Sequence, residues 1–293
     1  MLATLLMTAL APLLADDPAA TPEANPKANP AAEAIGFGDP KLQTTIVAIL
    51  KQKSRPVDPI QPDDLQTIYF LRAPDAGIAA LDGLERCVNL SLVDLDGNAI
   101  TDPQPLAGSQ RLQSLDLAKN QIASTDGLRP LTRMQYLNLA ENELTALDGL
   151  AEMDNLRSLD VSGNAITSLD PIAACEPLQS LWAGGNKLTS LDPLAKLPYL
   201  DTLDISDNPV TSLDPLAGNA RLRLLAIDGT EIGSLAPLVT TASQQPLFLK
   251  LIIDAEQEQS LKAELDRLRE KGVRIEVRKA EAAKQPAATG EAS

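Results

Sequence analysis

Carboxylates are the side chains of this sequence that come first to mind for chemistry. The 293 residues hold 40 Asp and Glu against 25 Lys and Arg, a formal charge of −15, with no His and two Cys. Asp94, Asp116, Asp160 and Asp204 are spaced by 22 residues or twice that. Two carboxylates about 5 Å apart suit retaining glycoside hydrolysis, and calcium takes about six to eight oxygen ligands. Neither chemistry is expected here. Evenly spaced carboxylates on an exposed strand surface close no cage around a cation, and nothing near Asp94 and Asp116 predicts a pocket that would raise one pKa.

What is missing narrows the field further. Without His there is no Ser-His-Asp or Cys-His catalysis, no imidazole metal ligand and no imidazole pH switch. A charge of −15 argues against nucleic acid, which needs a basic stripe to release counterions, and against an anionic membrane surface. Gly184-Gly185 carries no phosphate-loop signature, and neither a CxxC pair nor a nucleophile elbow is present. The reading is of a non-enzyme with no cofactor and no metal.

The elements that position these side chains come from an internal repeat. From Ile68 the pattern L-x-x-L-x-L-x-x-N-x-I-x-x-L-x-x-L recurs every 22 residues, beginning at Ile68, Leu90, Leu112, Met134, Leu156, Leu178, Leu200 and Leu222. Eight units without insertion run from 68 to 243. Counting each first residue as position 0, the aliphatic residues at positions 0, 3 and 5 predict a short strand whose intervening residues face outward. Hydrophobic residues make up 44% of the chain and aromatics only 2%, so the core must be aliphatic. No unit can enclose its own apolar side, so stacking closes the core. Position 15 is always Pro or Gly, with Asp before it in six units; Asp as N-cap and Pro at N1 predict a short 3₁₀ or helical turn on the convex side.

This repeat resembles the leucine-rich repeat family, in the 22-residue class of bacterial internalins and of a eukaryotic phosphatase-regulatory subunit. The resemblance implies an α/β fold: a right-handed leucine-rich repeat solenoid with a concave parallel sheet, a helical N-terminal cap and a β-α-β C-terminal cap. It also implies that Asn98, Asn120, Asn142, Asn164, Asn186 and Asn208, at position 8, form a structural ladder bonding adjacent turns. The two terminal units depart from it, with Ala76 and Thr230.

The chain divides accordingly. Residues 1–15, with an apolar run at 2–15 of signal-peptide length, read as a signal peptide, although no Lys or Arg precedes the run. Residues 16–37 form a Pro/Ala-rich linker, 38–67 the helical N-terminal cap, 68–243 the eight repeats, 244–280 the C-terminal cap and 281–293 a disordered tail. The 22-residue count places a ninth strand around Leu247 and Leu249, followed by a helix and a tenth strand at 273–277. Cys87 and Cys175 share position 19 four units apart. Strands about 4.8 Å apart put them roughly 19 Å apart, against the ~7 Å between Cα atoms that a disulfide needs, so both are expected to be free and buried.

The expected function is a non-catalytic protein–protein interaction module, a monomer that binds a protein or peptide on its concave face. The outward strand positions hold four of the seven aromatics: Phe70, Tyr136, Trp182 and Phe248. Phe70 and Phe248 lie at the solenoid ends, where caps could cover them. Trp182 is mid-stack between Asp160 and Asp204, among small residues, and should stand clear of the sheet. It suits a Lys or Arg side chain, with a stacked sugar as second choice. The expected concave-face residues are Trp182, Asp160, Asp204, Tyr136, Asn138, Asp116 and Asp94. Two alternatives stay open: a glycan-binding protein or carboxylate-dependent glycan hydrolase, and a regulatory subunit of an enzyme such as a phosphatase. The apolar run predicts export to periplasm or medium; a cytoplasmic protein is the alternative. No membrane insertion of the mature chain and no nucleic acid are expected.

Overall fold

The computed structural model describes residues 35–244 and 246–278. The signal peptide at 1–15, nearly all of the 16–37 linker and the 281–293 tail lie outside the described residues.

Ten parallel strands form one open, curved sheet in chain order. They are β1 (Phe70–Arg72), β2 (Leu92–Asp94), β3 (Ser114–Asp116), β4 (Tyr136–Asn138), β5 (Ser158–Asp160), β6 (Ser180–Trp182), β7 (Thr202–Asp204), β8 (Leu224–Ala226), β9 (Lys250–Ile253) and β10 (Arg274–Val277). From β1 to β8 each strand occupies positions 2–4 of its unit, and every pairing steps by 22 residues. The middle residue of each points inward; Leu71, Val93, Leu115, Leu159, Leu181, Leu203 and Leu225 are fully buried. One continuous aliphatic cluster runs from Ile35 to Val273. Every unit packs only on its neighbours, as a solenoid requires.

The convex side is built of 3₁₀ turns, among them Asp126–Leu128, Asp148–Leu150, Asp170–Ile172, Asp192–Lys196 and Asp214–Leu216. Their capping differs from the expectation by one residue. Asp opens each of these turns rather than preceding it, and no side chain at the N-cap itself bonds to the turn. The hydroxyls of Ser124, Ser168, Ser190 and Ser212, two residues earlier, accept the Asp N–H at 3.0–3.1 Å. A Ser hydroxyl two residues back satisfies the free donor locally, and the carboxylate still sits at the positive end of the turn. At Gly149 the chain itself excludes a side chain: a Cβ there would lie 1.9 Å from the Thr125 carbonyl oxygen.

The position-8 amides knit the turns together. In each of the six, Nδ2 donates to carbonyls of its own unit and of the preceding one, while Oδ1 accepts a backbone N–H of the preceding unit. Asn120 is typical: Nδ2 reaches the Leu95 and Leu117 carbonyls at 3.0 Å, and Oδ1 accepts Ile100 N at 2.9 Å.

Both ends are closed. Helix α1 (Pro40–Gln52) buries Leu42, Ile46 and Leu50, and its N-cap Asp39 also accepts Ala79 N at 2.7 Å, tying the cap to the first unit. A short α2 (Pro62–Leu65) follows. Unit eight carries helix α3 (Ala236–Gln244) in place of a 3₁₀ turn, and this shifts the next strand. Leu224 pairs with Lys250, 26 residues on, so β9 starts later than the 22-residue count predicts. An α-helix rises about 1.5 Å per residue against about 2.0 Å for 3₁₀, so crossing the convex side consumes more residues. Phe248 consequently falls in the loop before β9 and off the concave sheet. After β9 come α4 (Ala255–Ser260), α5 (Lys262–Glu270) and β10, the closing β-α-β, with the helix broken at Leu261. Among the described residues no helix is long and apolar enough to cross a membrane.

Candidate functional site

Position 4 forms a row across the concave sheet: Asp94, Asp116, Asn138, Asp160, Trp182, Asp204 and Ala226 are successive register partners. The sequence predicts exposed carboxylates there. The structure instead buries Asp116 (5% exposed) and Asp160 (8%), while Asp94, Asn138 and Asp204 are half-buried. The cause is the end of each strand. The side chain bends back to accept the N–H two residues on, at 3.0 Å for Asp116 and Ala118, 3.1 Å for Asn138 and Ala140, 3.0 Å for Asp160 and Ser162, and 2.9 Å for Asp204 and Ser206. The hydroxyls of Ser162 and Ser206 add 2.6 Å bonds to the same carboxylate oxygens.

Burial perturbs this row. It pushes the Asp116 carboxyl up to about 6, against the Ala118 N–H and the Asn138 amide, which pull it down. Asp94 and Asp160 are raised as well, again chiefly by burial. An adjacent pair with one strongly raised member is thus present at Asp94 and Asp116, contrary to the sequence expectation. Its geometry serves the fold rather than a substrate. Asp116 Oδ1 is held by Ala118 N and Oδ2 by the Asn138 amide at 3.1 Å, so both oxygens already have protein donors. Among the described residues no group of three or more Cys, Asp or Glu is arranged to hold a metal.

Trp182 breaks the row. It is flanked in register by Asp160 and Asp204, and Tyr136 lies two strands away at position 2. The indole is partly buried rather than standing clear, because on a concave sheet side chains from strands about 4.8 Å away flank the ring on both sides. Among the described residues cations sit over Tyr69 (Lys53, 5.8 Å) and Tyr199 (Arg221, 5.2 Å), not over Trp182. At the ends, Phe70 and Phe248 are 49% and 84% exposed, so neither is covered by a cap among the described residues.

Cys87 and Cys175 are fully buried free thiols, pushed up to about 12 and about 11 by burial. They are inert packing groups of the core. One residue escaped the sequence reading. Unit eight has Thr230 where the ladder needs Asn, and Gln257 of α4 takes over, its Nε2 donating to the Ile227 carbonyl at 2.8 Å and to Thr230 Oγ1 at 3.0 Å. The available signal was the D-x-x-Q capping box, Asp254 to Gln257, at the start of the cap helix.

The family described as Leucine Rich repeats (2 copies) matches residues 110–152, 154–196 and 176–218. No curated protein is similar to the chain in sequence. Among solved structures, internalin C2 from Listeria monocytogenes is 28% identical with a TM-score of 0.67, over 74% of this chain and 94% of that one. The leucine-rich repeat ectodomain of the plant membrane receptor kinase GASSHO1/SCHENGEN3 from Arabidopsis thaliana, solved in complex with Casparian strip integrity factor 2, is 20% identical. Its TM-score is 0.51, over 59% of this chain and 22% of that one, a likeness of fold alone.

Proposed function

This chain is an internalin-like leucine-rich repeat protein, and from that premise we propose that it is a non-catalytic binding module holding a protein or peptide partner against its concave sheet. The observation that carries the reading is Trp182: a partly exposed indole in the middle of an open sheet face, flanked in register by two carboxylates. A tryptophan in such a place is a typical interface hot spot. The carboxylates beside it, half-buried Asp204 and the more deeply held Asp160, set a negative field that favours a Lys or Arg side chain, which gains cation–π and charge attraction together. The apolar run at 2–15 supports export, and a monomer presents the whole face.

Cross-linking mass spectrometry on the native cell envelope fraction identifies the partner. With the partner in hand, Trp182→Ala weakens binding at least about 20-fold and shifts Tm by only a few degrees, because the ring is partly exposed. Asp160→Asn combined with Asp204→Asn also weakens it, less so in high salt, where the wild-type attraction is already screened. A folded Trp182→Ala variant that binds as tightly as wild type overturns the concave-face assignment.

A further inference from the structure

The charges of the solenoid are divided between its two edges. Positions 4–9 of the eight units, from the end of each strand into the following loop, carry eleven carboxylates against three cations. Positions 17–21 and 1, the return toward the next strand, carry eight cations against five carboxylates. The strand-end rim is therefore strongly acidic and the opposite edge mildly basic.

The acidic rim has a gap beside Trp182, where unit six carries no carboxylate and one exposed cation, Lys187. At position 7, units four and seven project Glu141 and Asp207, both exposed, while units five and six have Gly163 and Gly185, each at φ +66°. A Cβ at Gly185 would meet nothing closer than the Gly163 backbone at 3.5 Å, so the space above is open. Gly184 completes the floor; a Cβ there would come within 2.8 Å of Ser206 Oγ and 3.2 Å of Asp204 Oδ1.

We propose that the strand-end rim between Glu141 and Asp207 is a docking surface for a Lys/Arg-rich segment of a partner protein, which enters over the glycine gap and lays one basic side chain against Trp182. This rests on the concave-face reading above and adds to it the partner's chemistry and its route. Three strand spacings separate Glu141 from Asp207, about 14 Å, which an extended chain spans in about four residues. The matching segment therefore carries basic side chains about four residues apart with a third between them. The opposite edge repels the same segment, so charge sets the side of approach as well as the affinity.

Trp182 is the single tryptophan of the chain, so its emission reports occupancy of this place alone. The test titrates the full chain with fluorescein-labelled octa-lysine and octa-arginine, reading peptide anisotropy and Trp emission, with octa-glutamate as control. The expected result is binding of both cationic peptides with a change in Trp182 emission, weakened at least tenfold between about 50 and 500 mM salt. Glu141→Gln with Asp207→Asn weakens binding at least fivefold; both side chains are exposed, and Asn is at home at the left-handed φ of +52° that Asp207 adopts. The matched control, Glu152→Gln with Glu176→Gln on the return edge, changes it less than twofold. Equal weakening by the two pairs, equal binding of octa-glutamate, or no cationic binding overturns the rim proposal. So does a concentration-dependent dimer that Glu141→Gln with Asp207→Asn abolishes, which makes the occupant a second copy. Rim-dependent anisotropy with unchanged Trp182 emission instead overturns the concave-face reading and leaves the rim standing.

Discussion

At the residue scale, burial governs the carboxylate row. Asp116 sits at about 6 in the fold, against an ordinary value of about 3.9 in the unfolded chain. The folded state binds this proton more tightly, so the stabilising contribution is fully present below about pH 4 and is lost as pH rises through about 6. Asp94, Asp160 and Asp228 are raised by burial too and push in the same direction. Thermal melts should therefore show a higher Tm at pH 5 than at pH 7.5. Asp116→Asn removes most of the local penalty, because Asn138 already shows that an amide at this position caps its strand, accepting Ala140 N at 3.1 Å. The new amide nitrogen faces the Asn138 Nδ2 donor that now bonds Asp116 Oδ2, so the gain is offset and stability at pH 7.5 is expected to change by less than about 1 kcal/mol, while the pH dependence flattens. A variant with lower Tm at pH 7.5 and an unchanged pH slope would show that burial is not what destabilises the charge.

The same economy of donors and acceptors operates at the scale of elements. Each ladder amide satisfies carbonyls that stacking hides from water, and at the last such carbonyl, on Ile227, Gln257 of the cap helix shares that role with the N–H and hydroxyl of Thr230. Gln257 also closes the capping box, since its Oε1 accepts Asp254 N at 3.2 Å while Asp254 Oδ1 accepts Gln257 N at 2.8 Å. Gln257→Ala opens that box and removes one of three donors to the Ile227 carbonyl, at a cost of about 1–2 kcal/mol. Gln259→Ala, two residues on and exposed, should stay within about 0.5 kcal/mol. Urea melts of the two variants decide it; equal midpoints would mean the cap is held by Leu261, Leu265 and Leu268 alone.

For the whole molecule, the 22-residue step makes the stack modular. Every internal unit meets the same neighbours, so stability is close to a sum of units and their interfaces. Deleting residues 156–177, unit five in full, joins Asn155 to Leu178 and brings β4 beside β6 in the same register, with the Leu144 N–H meeting Asn186 instead of Asn164. The shortened chain is expected to fold cooperatively with Tm lower by about 5–10 °C. Its Trp182 would lie between Asn138 and Asp204, with one flanking carboxylate lost. Deleting 156–166, half a unit, breaks the register and should leave no cooperative transition by far-UV circular dichroism. Two deletions of equal effect would refute modular stacking.

The sequence by itself determined what depends on nearest neighbours along the stack. The leucines at positions 0, 3 and 5, Asn at position 8 and the Asp39-Pro40 helix start were all legible, because each unit repeats one environment and a local pattern specifies it. Trp182 was legible as the break in the position-4 row. The tertiary structure decided what depends on direction and path length in space. The aspartates at position 4 turn back to their own backbone instead of facing solvent, since a strand that ends after three residues leaves an N–H within reach. Phe248 leaves the sheet because an α-helix in unit eight consumes more residues than a 3₁₀ turn, a difference of rise that no repeat count contains. Gln257 completes a ladder whose other members lie outside the cap, a contact between residues 27 to 30 positions apart that only the folded end brings together.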